Sequence, residues 1–236
     1  MNRLLGIVVG TIDYGESDRI VHLLTARDGK LTAMARGARK SKRRFVGALE
    51  AGNRLDVEVK KGKSDMVTLI RADIDHGRPH IRKSLEGITL AAYLCEFAGG
   101  LARGGQPEPR LYGLLDVALL VLDASTEPPS RLFRLAFEAK ALTFAGFTPV
   151  LDRCAICMEP LSDPVRWACG SGGAVHEHCG SGSLFSSEVA AQLEQARRTP
   201  LAELVDAPTP YVDEVFQVHY HWHVGRKLRS AAMLSL

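Results

Sequence analysis

Four side chains with soft donors sit at metal-ligand spacing: Cys154-x2-Cys157 is followed, 18 residues later, by His176-x2-Cys179. A pair separated by two residues presents both donors from one tight turn, and two such knuckles close a tetrahedral zinc site. Cys169 supplies a rival set, since Cys154, Cys157, Cys169 and Cys179 are also four thiols. The set with His176 is preferred, because it keeps the two-residue spacing and follows Gly172-Gly173, which permit a sharp approach. Four protein ligands leave no open position for water, so the expected cofactor is a structural Zn2+. Five cysteines, four of them between 154 and 179, fit a metal in a reducing, cytoplasmic compartment better than a secreted disulfide framework.

The second stretch is Arg36-Gly37-Ala38-Arg39-Lys40-Ser41-Lys42-Arg43-Arg44, six basic residues in nine, with no acid between Asp28 and Glu50. Glycine and serine keep it pliable. Arginine and lysine neutralise phosphates and release counterions whatever the base sequence, which predicts steep salt dependence and little sequence preference. Lys60, Lys61 and Lys63 extend the surface, so the candidate nucleic-acid-binding residues are Arg36, Arg39, Lys40, Lys42, Arg43, Arg44, Lys60, Lys61 and Lys63. The bland alternative is a solvated loop. Residues 1–80 hold 16 basic and 10 acidic residues (+6), whereas residues 81–236 hold 14 and 17 (−3), so only the first part is built to meet a polyanion. Its two aromatics, Tyr14 and Phe45, suit burial at least as well as base stacking.

Enzyme motifs fail one by one. Gly62-Lys63-Ser64 mimics the end of a phosphate loop, but Val57 stands where the first glycine belongs and no helix follows. His176-Glu177-His178 is not His-Glu-x-x-His, and in nucleobase deaminases the His-x-Glu precedes the Cys-x2-Cys. No serine or cysteine sits on a nucleophile elbow. His219, His221, Trp222 and His223 read as the packed end of an amphipathic helix rather than a metal cluster. Arg226-Lys227-x-Arg229 beyond it complements the helix dipole or adds a phosphate contact.

The elements that must carry these stretches change character near residue 78. Before it, short β-branched runs alternate with turns: Ile7–Ile12, Ile20–Thr25, Leu31–Ala35, 55–59 and 66–74, with Asp28-Gly29 in a hairpin turn. Five strands in about 75 residues predict an OB-like barrel. After Pro79 the period becomes helical: Leu85, Ile88, Ala92 and Cys95 form one stripe that fades at Gly99, Gly104 and Gly105, and further helices cover Leu111–Leu122, Ser130 to Gly146 and Ser186 to Arg198. A last helix opens at Thr209-Pro210. The expected class is α+β, with an OB-fold domain at 1–78 and a helical domain at 79–236 that holds the zinc-binding segment at about 152–182. With 46% hydrophobic and 24% charged residues and a net charge of +3, the chain has the composition of a globular protein. Its apolar runs are far shorter than the ~20 residues that span a bilayer, and the apolar start reads as a strand, not a signal peptide. No membrane partner is expected.

The order of these features resembles a known family. Tyr14-Gly15-Glu16-Ser17-Asp18-Arg19-Ile20-Val21, then Leu24-Thr25, Gly29 and Ala35-Arg36-Gly37-Ala38-Arg39-Lys40, are similar to the amino-terminal signature of RecO, a family of bacterial recombination mediators. Tyr93, Glu96, Phe137-Glu138-x-Lys140, Gly146-Phe147-x-Pro149 and His223-x-Gly225-Arg226-x-Leu228-Arg229-Ser230 are similar to landmarks further along. The resemblance implies an OB domain, a helical domain and a zinc knuckle, with His176 where a third cysteine usually stands. It further implies a non-enzymatic protein of the bacterial nucleoid that binds single- and double-stranded DNA and anneals complementary strands. The implied partners are RecR, with which it loads RecA onto strands covered by single-stranded DNA-binding protein, and RecF as a further candidate. From the residues alone, the rivals are an RNA-binding OB and zinc-ribbon module in translation or RNA processing, and a scaffold.

Overall fold

The period-two patterning of the first 76 residues closes into a five-strand barrel. The computed structural model describes residues 2–234 apart from 42–43, 63–65, 128, 206, 208–211 and 213. Strands β1 (Asn2–Tyr14), β2 (Asp18–Thr25), β3 (Gly29–Ala35), β4 (Arg54–Lys60) and β5 (Val67–His76) follow the order β1-β2-β3-β5-β4, and β4 returns to β1. Only β3 and β5 pair in parallel. Along β4, Leu55, Val57 and Val59 point into the core while Arg54, Asp56 and Glu58 stay half-buried, so a one-residue slip would turn the apolar set outwards. β1 outruns the predicted Ile7–Ile12 at both ends, because Asn2–Ile7 pairs with β4 and Ile7–Tyr14 with β2. Only its middle, Gly6–Val9, is buried, and that is the part a hydrophobic pattern reveals.

Two compact units divide the chain: residues 1–124 with 230–236, and residues 125–229. The first adds α1 (Leu85–Leu101) and α2 (Pro109–Ala124) to the barrel. α1 starts where the Ser84 hydroxyl accepts from the Gly87 N–H, a serine N-cap. It does not fade at Gly99. A Cβ there would lie 2.8 Å from Cγ2 of Val9, so the glycine lets the helix rest directly on β1; that close approach outweighs the roughly 1 kcal/mol of helix propensity it costs. Arg78, 1% exposed, bonds to Asp116 of α2, which also takes Arg54 of β4 at 2.6 Å. One carboxylate thus ties barrel to helix.

In the second unit α3 (Arg131–Phe144) is buried along most of its length, including the Arg134–Glu138 pair at 3.0 Å. After it come β6 (Val165–Ala168), β7 (Gly173–His176) and β8 (Ser183–Phe185), in the order β7-β6-β8, then α4 (Ser187–Arg198) and α5 (Val215–Val224). α4 and α5 both pack on α3. Strands of three and four residues are too short to show alternation, so the sequence pattern does not announce this sheet. The Thr209-Pro210 opening expected for the last helix lies outside the described residues. Among those residues no helix is long and apolar enough to cross a membrane.

Candidate functional site

Sγ of Cys154, Cys157 and Cys179 and a ring nitrogen of His176 all lie within 4.8 Å of one another. Sγ of Cys157 is 3.4 Å and Sγ of Cys179 4.0 Å from His176 Nδ1, close to the edges of about 3.5 Å expected of a tetrahedron with metal–ligand bonds near 2.0–2.3 Å. The backbone builds this geometry. The Cys154 N–H donates to Glu159 O and its carbonyl accepts from Met158 N–H, closing the first knuckle, and the Ala155 N–H donates to Ala174 O, fastening that knuckle to β7. His176 ends β7, and its carbonyl accepts from the N–H groups of Cys179 and Gly180 to form the second.

Chemistry and burial agree with a cation. Cys154 is fully buried with Ala168 and Val175, whereas Cys157 is exposed. Burial would raise the Cys154 thiol, but hydrogen bonds from the backbone of Cys157, His176 and Ile156 overcome it and bring the thiol down to about 6. The Cys179 thiol is pushed up to about 11, by burial and then by the thiols of Cys157 and Cys154 beside it. Several thiolates at this spacing repel one another; a dication removes that repulsion. His176 Nε2 lies 3.0 Å from Pro160 O. The Ser162 N–H also reaches Nε2, at 3.3 Å; the tautomer that instead donates from Nε2 to Pro160 O leaves the Nδ1 lone pair facing the sulfurs, the arrangement a metal-bound imidazole needs.

Cys169 does not join this group. It sits on the turn after β6, half-buried, and burial raises its thiol. His219 lies in the interior, 1% exposed, with its ring 5.7 Å from Trp167 and 4.6 Å from His223, which stacks on Phe147. Among the described residues the four-residue cluster is the only group of three or more metal-ligating side chains.

The basic stretch leaves the barrel at the end of β3. Parallel pairing of Ala33 and Met34 with Val67 and Thr68 places the end of β3 beside the start of β5, and Lys60 faces Thr68 across β4 and β5. Arg19 pairs with Ala35, so the hairpin joining β1 and β2 reaches the same end. Register thus gathers at one barrel end the loop after Ala35 and the Tyr14–Asp18 hairpin, whereas the turn after Lys60 leaves from the opposite end, where the end of β4 pairs with the start of β1. Arg36, Arg39, Lys40, Arg44, Lys60 and Lys61 are exposed; Lys42, Arg43 and Lys63 lie outside the described residues.

That hairpin clamps the loop. Asp18 accepts from the Gly37 N–H at 2.8 Å, and this bond, helped by the Ser17 hydroxyl, holds its carboxyl below the usual range. The Arg39 N–H donates to Ser17 O and its guanidinium to Gly15 O at 2.7 Å. Arg39 also pairs with Asp13 at 3.3 Å and Lys40 with Glu16 at 3.6 Å, both at the surface, where such pairs are worth about 0–1 kcal/mol. Arg44 donates to Ile70 O and lies 4.8 Å over the ring of Phe45, which is buried, whereas Tyr14 is 56% exposed. Local sequence gives no sign that Asp13, Glu16 and Asp18 serve the loop; only their place in the amino-terminal signature hints at it.

Barrel and knuckle together define a class: a two-part protein in which an OB-like barrel with a basic end precedes a helical part whose small sheet carries a set of metal-ligating side chains. Comparison with known proteins makes the class specific. The family model described as Recombination protein O N terminal matches residues 1–78, and that described as Recombination protein O C terminal matches residues 82–232. The DNA repair protein RecO of Myxococcus xanthus (strain DK1622) is 40% identical over 236 residues, covering 97% of this chain and 95% of that protein. The DNA repair protein RecO of Geobacter sulfurreducens is 38% identical over 239 residues, covering 98% and 96%. The chain belongs to the RecO family of DNA repair proteins.

Proposed function

We propose that this chain is a non-enzymatic mediator of DNA repair and homologous recombination. It binds single- and double-stranded DNA, anneals complementary strands and, with RecR, helps load RecA onto strands covered by single-stranded DNA-binding protein; RecF is a further partner. The observation that carries this reading is the basic loop held on the Tyr14–Asp18 hairpin at one barrel end, with its cations exposed. Residues 1–78 act as the nucleic-acid-binding domain and residues 79–236 as the helical domain, in the bacterial cytoplasm at the nucleoid.

Arg36, Arg39, Lys40, Lys42, Arg43 and Arg44, extended by Lys60, Lys61 and Lys63, take the phosphates. Arg39 and Lys40 exchange the weak surface pairs with Asp13 and Glu16 for phosphate oxygens. Neutralising two backbones lowers their repulsion, and contacts confined to phosphates leave base edges free to pair. Cys154, Cys157, His176 and Cys179 hold a Zn2+ that, when bound, crosslinks both knuckles and does no chemistry on DNA. The test is annealing of complementary oligonucleotides coated with cognate single-stranded DNA-binding protein, followed by fluorescence across a salt series. Salt-sensitive acceleration without nucleotide is expected. A folded, metal-loaded chain that neither binds nor anneals at low salt would overturn the reading.

A further inference from the structure

We infer that α5 carries a second contact for single-stranded DNA, in which the indole of Trp222 stacks on a base while Arg226 and Lys227 hold the adjoining phosphates. The inference rests on the DNA-binding reading above and adds a site in the second unit. The chain has two tryptophans. Trp167 is 3% exposed and packs edge-on against Phe216. Trp222 is 64% exposed, and Val218, one turn before it, is 53% exposed.

Trp222 is presented rather than left dangling. Its six-membered ring rests on Gly170, where an added Cβ would lie 3.3 Å from Cζ2. A ring braced against backbone loses little rotamer freedom when a base settles on its open side. The charge along its own segment has one sign. After Glu214 no acidic residue occurs in positions 215–236, a stretch matched in length only by 29–49, which contains the basic loop. Gly225, at φ +75°, ends α5 in a left-handed cap, and Arg226 and Lys227 emerge exposed directly beyond it. An apolar strip of two residues is too small to seat a partner helix. A polyanion that also offers flat apolar rings matches both indole and cations.

The test titrates the full-length, zinc-loaded chain with an oligo(dT) strand. Intrinsic tryptophan emission is one readout and anisotropy of the labelled strand the other. Saturable quenching of the exposed indole is expected. Trp222→Ala should abolish that quenching and weaken binding about tenfold with an unchanged salt slope, since stacking carries no counterion release. Trp222→Phe should retain most of the affinity. Arg226→Gln with Lys227→Gln, which costs the fold only the long 3.4 Å bond from Arg226 Nε to the Tyr220 hydroxyl, should lower the slope by about 1.4. Binding seen by anisotropy with no change in Trp222 emission overturns the inference and leaves the barrel's role standing. So does equal quenching by polyglutamate of the same charge, which has no bases. Absence of binding by both readouts removes the DNA-binding reading itself.

Discussion

The metal knuckle and the basic loop use opposite means to place their side chains. At the knuckle, backbone hydrogen bonds fix every turn, Cys154 and His176 are buried, and the ligand atoms have no freedom to miss each other. At the loop, a hairpin clamps the base through Asp18 and Ser17, while the cations beyond face water in weak pairs. The difference follows from what each must bind. A metal demands four donors within tenths of an ångström, so main-chain bonds hold their positions closely. A phosphate backbone varies in path and sequence, and long side chains anchored at one end can follow it.

Breaking the knuckle should have the largest effect. Cys154→Ser is expected to release the metal and lower stability on the order of 5 kcal/mol, because binding energy at a structural zinc site is folding energy; metal analysis with thermal melting checks both, and full metal content in the variant would exclude Cys154 as a ligand. Replacing Arg39, Lys40, Arg43 and Arg44 with glutamine should cost far less stability than Cys154→Ser, since the bonds of Arg39 to Gly15 O and Arg44 to Ile70 O that it removes are exposed, but flatten the salt slope of single-stranded DNA binding by about 3. An unaltered slope would reduce the loop to a solvated surface.

Acid should sharpen the contrast between interior and surface. Burial, with His223 beside it, pushes the His219 imidazole down to about 4. Its neutral form therefore contributes fully above the unfolded histidine value near 6.5, and the contribution drains away as pH falls from there towards 4, amounting to about 3 kcal/mol at most. Urea denaturation at pH 7 and pH 4.5 should show this loss reduced in His219→Gln; equal losses in both proteins would remove His219 as its source. The smallest effect is expected of Asp18→Ala, which loosens the clamp without touching a cation: affinity should fall about two- to fivefold at constant salt slope. A changed slope would mean that Asp18 does more than position the loop.

Much of this was legible because it is local. Period-two alternation marks the barrel strands, and paired two-residue spacing marks Cys154, Cys157, His176 and Cys179. The same spacing favours His176 over Cys169, but the means is not local: β7 delivers residue 176 to the first knuckle, while residue 169 sits on the turn after β6. Gly99 shows the same limit: in a one-dimensional pattern it reads as the end of a helix, and only the presence of Val9 beneath it reveals a packing role.

By itself the sequence determined the types and spacing of the donors, the acid-free run of cations, the order of barrel and helices, and, through its motifs, the family. Tertiary structure alone decided that the loop and the Tyr14–Asp18 hairpin share one end of the barrel while the turn after Lys60 leaves from the other, that Asp18 clamps what Arg36–Arg44 carries, and that Trp222 rests on Gly170 facing water while Trp167 is buried. The physical reason is range. Propensity, alternation and chelate spacing act over a few residues, whereas register, closure and burial are set by partners tens of residues away, which no window of sequence contains.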